Sequence, residues 1–165
     1  MLWEHLLTHG ILYTLAFNGY LLLMMVTTSP RVWGYADYSD DIKAKIPPQT
    51  TRERRLALFA ALPWLIITLG FPIYSTYVLK ANLGGEIPYW AAFLNVFVLI
   101  LLANLGGLVF LDWLIVSKIT PRFVIIPGTE EADYKDFSHH FKAHARSVGP
   151  LILVCAVLSA FVWYF

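Results

Sequence analysis

Four long runs of apolar residues, separated by polar connections, dominate the pattern of the chain. They lie at about 2–27, 56–79, 89–116 and 148–165. A helix of roughly 20 residues crosses a hydrocarbon core of about 30 Å, so each run is long enough to span a membrane. None alternates as barrel strands do, and backbone groups in lipid need partners within their own segment. We therefore predict an all-α integral membrane protein, a single domain, 1–165, of four transmembrane helices.

Two of the polar connections, 28–55 and 117–147, are too long to be simple hairpins. The first contains Thr50-x-x-Glu53, a capping-box pattern that predicts the start of the second helix. The second contains Phe123–Ile126, a short apolar run that we expect either to lie in the membrane interface or to tuck under the bundle. Both connections are therefore expected to carry structure of their own.

The residues just before the fourth run have the spacing of an amphipathic helix. Between 132 and 147, large apolar side chains recur so as to form one stripe that continues into the last span. The members of this stripe are Tyr134, Phe137, Phe141 and Val148. We predict a short amphipathic helix on the cytoplasmic membrane surface that leads into the fourth transmembrane helix.

Basic residues are distributed very unevenly between the connections. Eleven of the twelve lysines and arginines lie in 28–55 and 117–147, and only Lys80 lies elsewhere. Cytoplasmic connections of membrane proteins carry such an excess of positive charge. We therefore predict that both long connections are cytoplasmic loops, that both termini are outside, and that the protein lies in the plasma membrane. Its expected partners are the lipid bilayer and anionic lipid headgroups.

Composition supports a membrane protein and removes several other classes. The chain is 58% hydrophobic with a mean hydropathy of +0.63, too apolar for a soluble domain of 165 residues. Its formal net charge of +1 gives no reason to expect nucleic acid as a partner. The lone Cys155 excludes an intrachain disulfide and a CxxC redox motif.

Asp112 is the one acidic residue deep within a predicted span. An ionised group in lipid is costly, so such residues usually face the bundle interior or a water-filled cavity. The functional interpretation is that Asp112 contacts a substrate or binds and releases a proton. The structural alternative is an ion pair at the interface with Lys118, Arg54 or Arg55. Asn104 lies about 80° from Asp112 on an ideal helix, so both side chains can face one cavity.

The other polar groups singled out within the spans are neutral. Asn18, Asn95 and Asn104 are expected to hydrogen-bond across helices, as most such groups in membranes do. Ala103 and Gly107 are four residues apart, a small-xxx-small pair that permits close helix contact. We expect this face to be the interface if the protein forms a homo-oligomer.

The five histidines form two groups, which the predicted topology places on opposite sides of the membrane. His5 and His9 are four residues apart, and we expect them at the interface or in an inter-helix hydrogen bond. For His139, His140 and His144 three interpretations stay open: a solvated or headgroup-facing surface, a catalytic or ligand-binding role, and a metal site. Ligands spread over two turns of one straight helix cannot converge on one ion without a ligand from elsewhere. A metal site would therefore need a further ligand, such as Asp112 or Glu53, and our candidate residues include no metal ligand.

Arginines near the membrane face are further candidates. They reflect the positive-inside bias itself, or they form a site for an anionic headgroup or a phosphate. The candidate ligand-binding residues are Arg54, Arg55, Asn104, Arg122 and His144.

No catalytic motif identifies a reaction or a cofactor, because the chain has no HExxH, glycine-rich phosphate loop or GxSxG elbow. The first hypothesis is a membrane protein that binds, transports or helps to handle a lipophilic or anionic small molecule through a bundle cavity open to the cytoplasm. The alternative is a membrane enzyme acting on a lipid or isoprenoid substrate. Its acid or base is then His140 or His139, with Asp112 as the orienting or proton-relay partner.

Overall fold

The computed structural model describes residues 2–165, and among them it contains helices and no strand. The helices are α1 (Leu2–Thr27), α2 (Pro30–Trp33), α3 (Asp40–Ala44), α4 (Thr51–Asn82), α5 (Tyr89–Gly106) and α6 (Phe137–Tyr164). A π-helical segment, Gly107–Ile119, continues α5, and a single 3₁₀ turn, Glu131–Tyr134, precedes α6. Four of these helical stretches, which contain α1, α4, α5 and α6, are long and apolar enough to cross a membrane, so the chain is an integral membrane protein.

Helix α5 lies at the centre of the bundle and packs against α1, α4 and α6. At mid-depth the interior is filled by side chains that are almost completely buried, among them Tyr13, Val96, Leu99 and Cys155. Helices in lipid associate largely through such close packing, since lipid tails are as apolar as leucine.

Each of the three asparagines in the spans donates a hydrogen bond to a neighbouring helix, which confirms the prediction for Asn18, Asn95 and Asn104. The three bonds, from Nδ2 in each case, run from Asn18 to Ala103 O (3.1 Å), from Asn95 to Ser75 Oγ (3.1 Å) and from Asn104 to Ser147 Oγ (3.1 Å). They join α1 to α5, α5 to α4 and α5 to α6. An unsatisfied amide in hydrocarbon is costly, so these bonds define which helix faces meet.

The small-residue face of α5 is used within the chain itself. A methyl group added at Gly106 would lie 2.9 Å from both Asn18 Nδ2 and Thr14 Cγ2. Ala103, Gly106 and Gly107 are all buried against the neighbouring helices. The close helix contact that Ala103 and Gly107 permit is therefore present within the chain, where α1 packs against this face.

The start of α1 and the end of α6 lie at one end of the bundle. Near the end of α4, Lys80 Nζ donates to Val162 O (3.1 Å), close to the end of α6. The ring of Tyr89, at the start of α5, contacts that of Trp163 at a centroid distance of 6.0 Å. Leu2 packs against the cluster that contains Leu79 and Ala91 at this same end.

At the other end, the two long connections fold together into what we call the cap, residues 28–50 and 120–136. Its core contains Tyr38, Ile42, Val124, Ile126 and Tyr134, each at most 5% exposed. Tyr38 Oη donates to Val124 O (3.3 Å), and Tyr134 Oη accepts from Ile126 N (3.0 Å). The apolar run 123–126 is therefore tucked under the bundle, one of the two predicted arrangements.

Local hydrogen bonds fix the helix starts beside the cap. At α4 the predicted capping box is present, with Thr50 Oγ1 accepting from Glu53 N (3.2 Å) and Glu53 Oε2 accepting from Thr50 N (2.7 Å). Glu53 also receives two hydrogen bonds from Arg31, 2.7 and 3.1 Å long, which tie α4 to α2. Two-point guanidinium–carboxylate pairs of this kind hold a defined geometry.

The predicted amphipathic helix and the fourth span form one continuous helix, α6. It begins at Phe137 rather than near 132, because Asp136 Oδ1 caps it by accepting from the backbone N–H groups of Ser138 (2.9 Å) and His139 (3.1 Å). The preceding residues form the separate 3₁₀ turn.

Candidate functional site

A carboxylate of one span and two histidines of another meet where the cap joins the bundle. Asp112 Oδ2 lies 2.7 Å from His144 Nε2 and 3.6 Å from His140 Nδ1. The two histidines are one turn apart on α6 and therefore share a face. The acid deep in the third span and the predicted i,i+4 histidine pair thus belong to one centre. The close hydrogen bond goes to His144, whereas His140 is at ion-pair distance.

The π-helical segment that carries Asp112 shapes this centre. A π-helix has one more residue in each hydrogen-bonded turn than an α-helix, and such segments often occur at functional sites. On the α-helical part just before it, Asn104 Nδ2 donates to Ser147 Oγ, and that hydroxyl donates to His144 O (2.7 Å). Asn104 and Asp112 therefore both face α6, and Asn104 supports His144 through Ser147 instead of facing an open cavity.

His139 joins the centre to the cap. Its Nε2 donates to the backbone carbonyl oxygen of Asp37 at 2.8 Å. Asp37 is exposed at the edge of the cap, but the protein atoms around its carboxylate limit hydration and raise its pKa, and the charge of Asp112 raises it further. Lys43 and two histidines, His139 and His144, act in the opposite direction. The charges of Asp112, His139 and His144 therefore all act on the Asp37 carboxylate.

Sequence reasoning missed Asp37. It lies in a short segment that also contains Asp40 and Asp41, and the spacing of the three acids gives no reason to choose Asp37. Only the folded cap brings one of them towards Asp112.

A shallow opening lies between the cap and the start of α6. Its lining residues are Tyr38, Ser39, Ile42, Asp133, Tyr134, Asp136, His139 and His140. The side chain of His140 is 15% exposed and that of Asp112 is 26% exposed. His140 therefore contacts the opening on one side and the Asp112 carboxylate on the other.

The arginines are placed differently from the histidines. Arg54 and Arg55 are exposed at the start of α4, where Arg54 donates to Gln49 O (3.3 Å), and Arg122 is exposed on the cap. Within residues 2–165, Asp112 has its ion-pair contacts with His140 and His144 and not with an arginine or with Lys118. The predicted structural alternative for Asp112, a pair with Lys118, Arg54 or Arg55, is therefore wrong.

The histidines at the other end form a separate cluster. His5 Nε2 shares a hydrogen bond with Ser75 Oγ (3.1 Å), and Ser75 in turn accepts from Asn95. His5 and His9 stack with ring centroids 3.9 Å apart. The expected inter-helix hydrogen bond is confirmed for His5.

Chemically, the Asp112 centre can hold and move a proton. A carboxylate that accepts from an imidazole orients the ring and stabilises its charged form. Among residues 2–165, no group of three or more His, Cys, Asp or Glu side chains is arranged to hold a metal ion. The chain matches no protein-family model, no curated protein and no solved structure.

Proposed function

We propose that this integral membrane protein is an enzyme that performs acid–base chemistry on a lipophilic, anionic small molecule at the boundary between cap and bundle. One observation carries the proposal: Asp112 Oδ2 is shared by His144 and His140, while His140 also lines an opening. A general acid or base needs a proton-carrying side chain in reach of substrate and a partner that sets its orientation. The three side chains supply both.

Each side chain has a proposed role. His140 gives or takes the proton at the substrate, because it is the histidine with access both to the opening and to Asp112. Asp112 stabilises the charged imidazole, and His144 fixes the carboxylate through its 2.7 Å contact with Oδ2. His139 lines the opening and, through its bond to Asp37 O, holds the cap against α6.

The substrate class follows from the surroundings of the opening. Phe137 and Phe141, at the start of α6, are 41% and 54% exposed and provide an apolar surface next to the histidines. The exposed cations Arg54, Arg55 and Arg122 lie at the same end of the bundle and attract anionic headgroups. A lipid or an isoprenoid with a charged head has this combination of properties.

A second function is a binding, transport or accessory role without catalysis. The shallow shape of the opening favours it, since a bound molecule would stay largely at the surface. The same imidazole groups and cations would then hold the anion, and Asp112 would only position the histidines.

We further propose that the cap is cytoplasmic, that both termini are outside, and that the membrane is the plasma membrane. Eleven of the twelve basic residues belong to the two connections that lie at the cap end of the bundle. The positive-inside rule favours the cytoplasm for that end.

Purified protein in nanodiscs, incubated with a lipid and small-molecule extract of its host, tests the proposal by mass spectrometry. Wild type should deplete one compound and form one product. His140→Gln should lower that rate by about 100-fold or more, the usual contribution of a general acid or base. Lys142→Gln, an exposed change on the same helix, is the matched control and should keep the rate.

Two outcomes would contradict catalysis at this site. Equal turnover by wild type and His140→Gln removes His140 from the reaction. A compound that binds wild type but is recovered unchanged supports the binding role in place of the enzyme.

A further inference from the structure

An open cavity of about 350 Å³ lies at the end of the bundle opposite the cap. It is formed by the end of α4, the turn that follows it and the end of α6. The lining residues are Lys80, Gly85, Glu86, Ile87, Trp163 and Tyr164. Its volume is within the range of sites that hold small molecules. None of these residues belongs to the proposed acid–base site, so the cavity is a separate place for a ligand.

The cavity carries a positive and a negative charge that do not neutralise each other. Lys80 Nζ donates to Val162 O (3.1 Å), and an ammonium group has three donor hydrogens, so two are left for a ligand. Glu86 is exposed on the turn. In the part of the chain that the structure describes, neither Lys80 nor Glu86 belongs to an ion pair. Both charges are therefore available to a bound molecule.

The turn between α4 and α5 holds Glu86 beside the end of α4. Gly85 has a φ of +96°, a conformation that glycine adopts without the strain of a side chain. Its N–H donates to Lys80 O (3.0 Å), which closes the turn back onto the helix that carries the lysine. The backbone thus keeps the acidic and the basic residue on one cavity.

Two aromatic residues complete the wall. Trp163 and Tyr164 are 53% and 77% exposed, and the Trp163 ring also packs against Tyr89 at a centroid distance of 6.0 Å. Tryptophan and tyrosine are enriched at the level of the lipid headgroups, and the faces of their rings attract cations. The cavity therefore opens where headgroups lie, and its aromatic wall favours a ligand with a cationic part.

We infer that this cavity binds the headgroup of a zwitterionic phospholipid. The phosphate accepts from Lys80, and the ligand's ammonium lies between Glu86 and the two aromatic rings. A purely anionic headgroup is repelled by Glu86, and a purely cationic one by Lys80. In phosphatidylethanolamine an ethylene group joins the phosphate oxygen to the ammonium, so its two charges are adjacent without touching. The exposed rings also offer apolar surface to the acyl chains, which favours a lipid over a free headgroup.

Native mass spectrometry of delipidated protein in one detergent, titrated with short-chain lipids, tests the inference. Wild type should bind dihexanoyl phosphatidylethanolamine. Lys80→Gln and Glu86→Gln should each weaken this binding by about tenfold or more, the usual value of a hydrogen bond to a charged group. Lys142→Gln removes an exposed lysine at the cap end and is the charge-matched control, which should keep wild-type affinity.

Two further probes separate the possible ligands. Dihexanoyl phosphatidylglycerol has the phosphate but no ammonium, so neither variant should change whatever binding it shows. Glycerophosphoethanolamine has the headgroup but no acyl chains and should bind more weakly than the lipid.

Three results would overturn the inference. Phosphatidylethanolamine binding that is unchanged in Glu86→Gln excludes recognition of the ammonium, and this exposed variant serves even if Lys80→Gln does not fold. An equal loss of phosphatidylglycerol binding in the variants shows a site for phosphate alone. Glycerophosphoethanolamine that binds as tightly as the lipid assigns the cavity to a free headgroup. All three are independent of whether His140 proves to be catalytic.

Discussion

Asp112 Oδ2 lies 2.7 Å from His144 Nε2, so a carboxylate in one span holds an imidazole in another. The contact joins the π-helical continuation of α5 to α6 at the level where the cap begins. It gives an acidic residue inside a membrane helix a defined partner, as such residues usually have.

Removing the carboxylate should destabilise the protein as well as its site. Asp112→Leu leaves the His144 N–H without an acceptor, and an unsatisfied buried donor costs about 1–3 kcal/mol. Asp112→Asn retains an amide oxygen in nearly the same place and should cost less, while it removes the charge. Thermal unfolding in one detergent measures both. Equal melting temperatures for Asp112→Leu and wild type would contradict the importance of this contact for folding.

Asp37 should make stability depend on pH in a specific direction. Its folded pKa is raised, first by limited hydration and then by Asp112, so the folded protein holds this proton more tightly than the unfolded chain. Stability is then lost as pH rises from the ordinary value of 3.8 through the higher folded value. Asp37→Asn should remove this loss, so that the variant gains stability relative to wild type over this window. Melting temperatures from pH 3.8 upward test it, and a constant difference would contradict it.

The histidines at the opposite end should matter for stability alone. His5→Ala removes the hydrogen bond to Ser75 and leaves polar groups of the Ser75–Asn95 cluster less satisfied, a loss of about 1–3 kcal/mol. We expect a lower melting temperature and unchanged substrate turnover or ligand binding at the cap. A His5→Ala protein that is folded but inactive would show that the two ends of the bundle are functionally coupled.

The proposed orientation can be tested by cysteine labelling, since Cys155 is the only native cysteine and is fully buried. In a Cys155→Ala background, Glu86→Cys marks the exposed turn between α4 and α5, and Asp41→Cys marks the cap. A membrane-impermeant maleimide should label Glu86→Cys in intact cells and Asp41→Cys only after lysis. The reverse pattern would place the cap outside.

The sequence predicted the spans well because each depends on local hydropathy. The first run, 2–27, coincides with α1, the helices of the second and third runs extend by three to five residues at their ends, and the fourth run forms the later part of α6. The hydrogen bonds of the asparagines were also predictable, since a side-chain amide in lipid has few hydrogen-bond partners other than groups on a neighbouring helix. The start of α6 was not, because the capping carboxylate of Asp136 competes with the apolar stripe that begins at Tyr134.

The sequence identified candidate residues for the site but did not predict how they are arranged. Asp112 was prominent as the lone acid in a span, yet its closest partner proved to be His144 rather than His140. The π-helical segment from Gly107 onwards changes the angular position of Asp112, which ideal helix spacing cannot anticipate. Asp37 reaches the site only through the tertiary fold of the cap.

The central claim is that the shared Asp112 carboxylate organises a site for a small molecule, and native mass spectrometry tests it most directly. Wild type and Asp112→Asn are released gently from the same membrane, with Lys142→Gln, an exposed change on α6, as the control. We predict that wild type and Lys142→Gln retain the same lipophilic anion and that Asp112→Asn, still folded, loses it. A folded Asp112→Asn protein that retains the molecule at wild-type occupancy, or a wild type that retains none, would contradict the account.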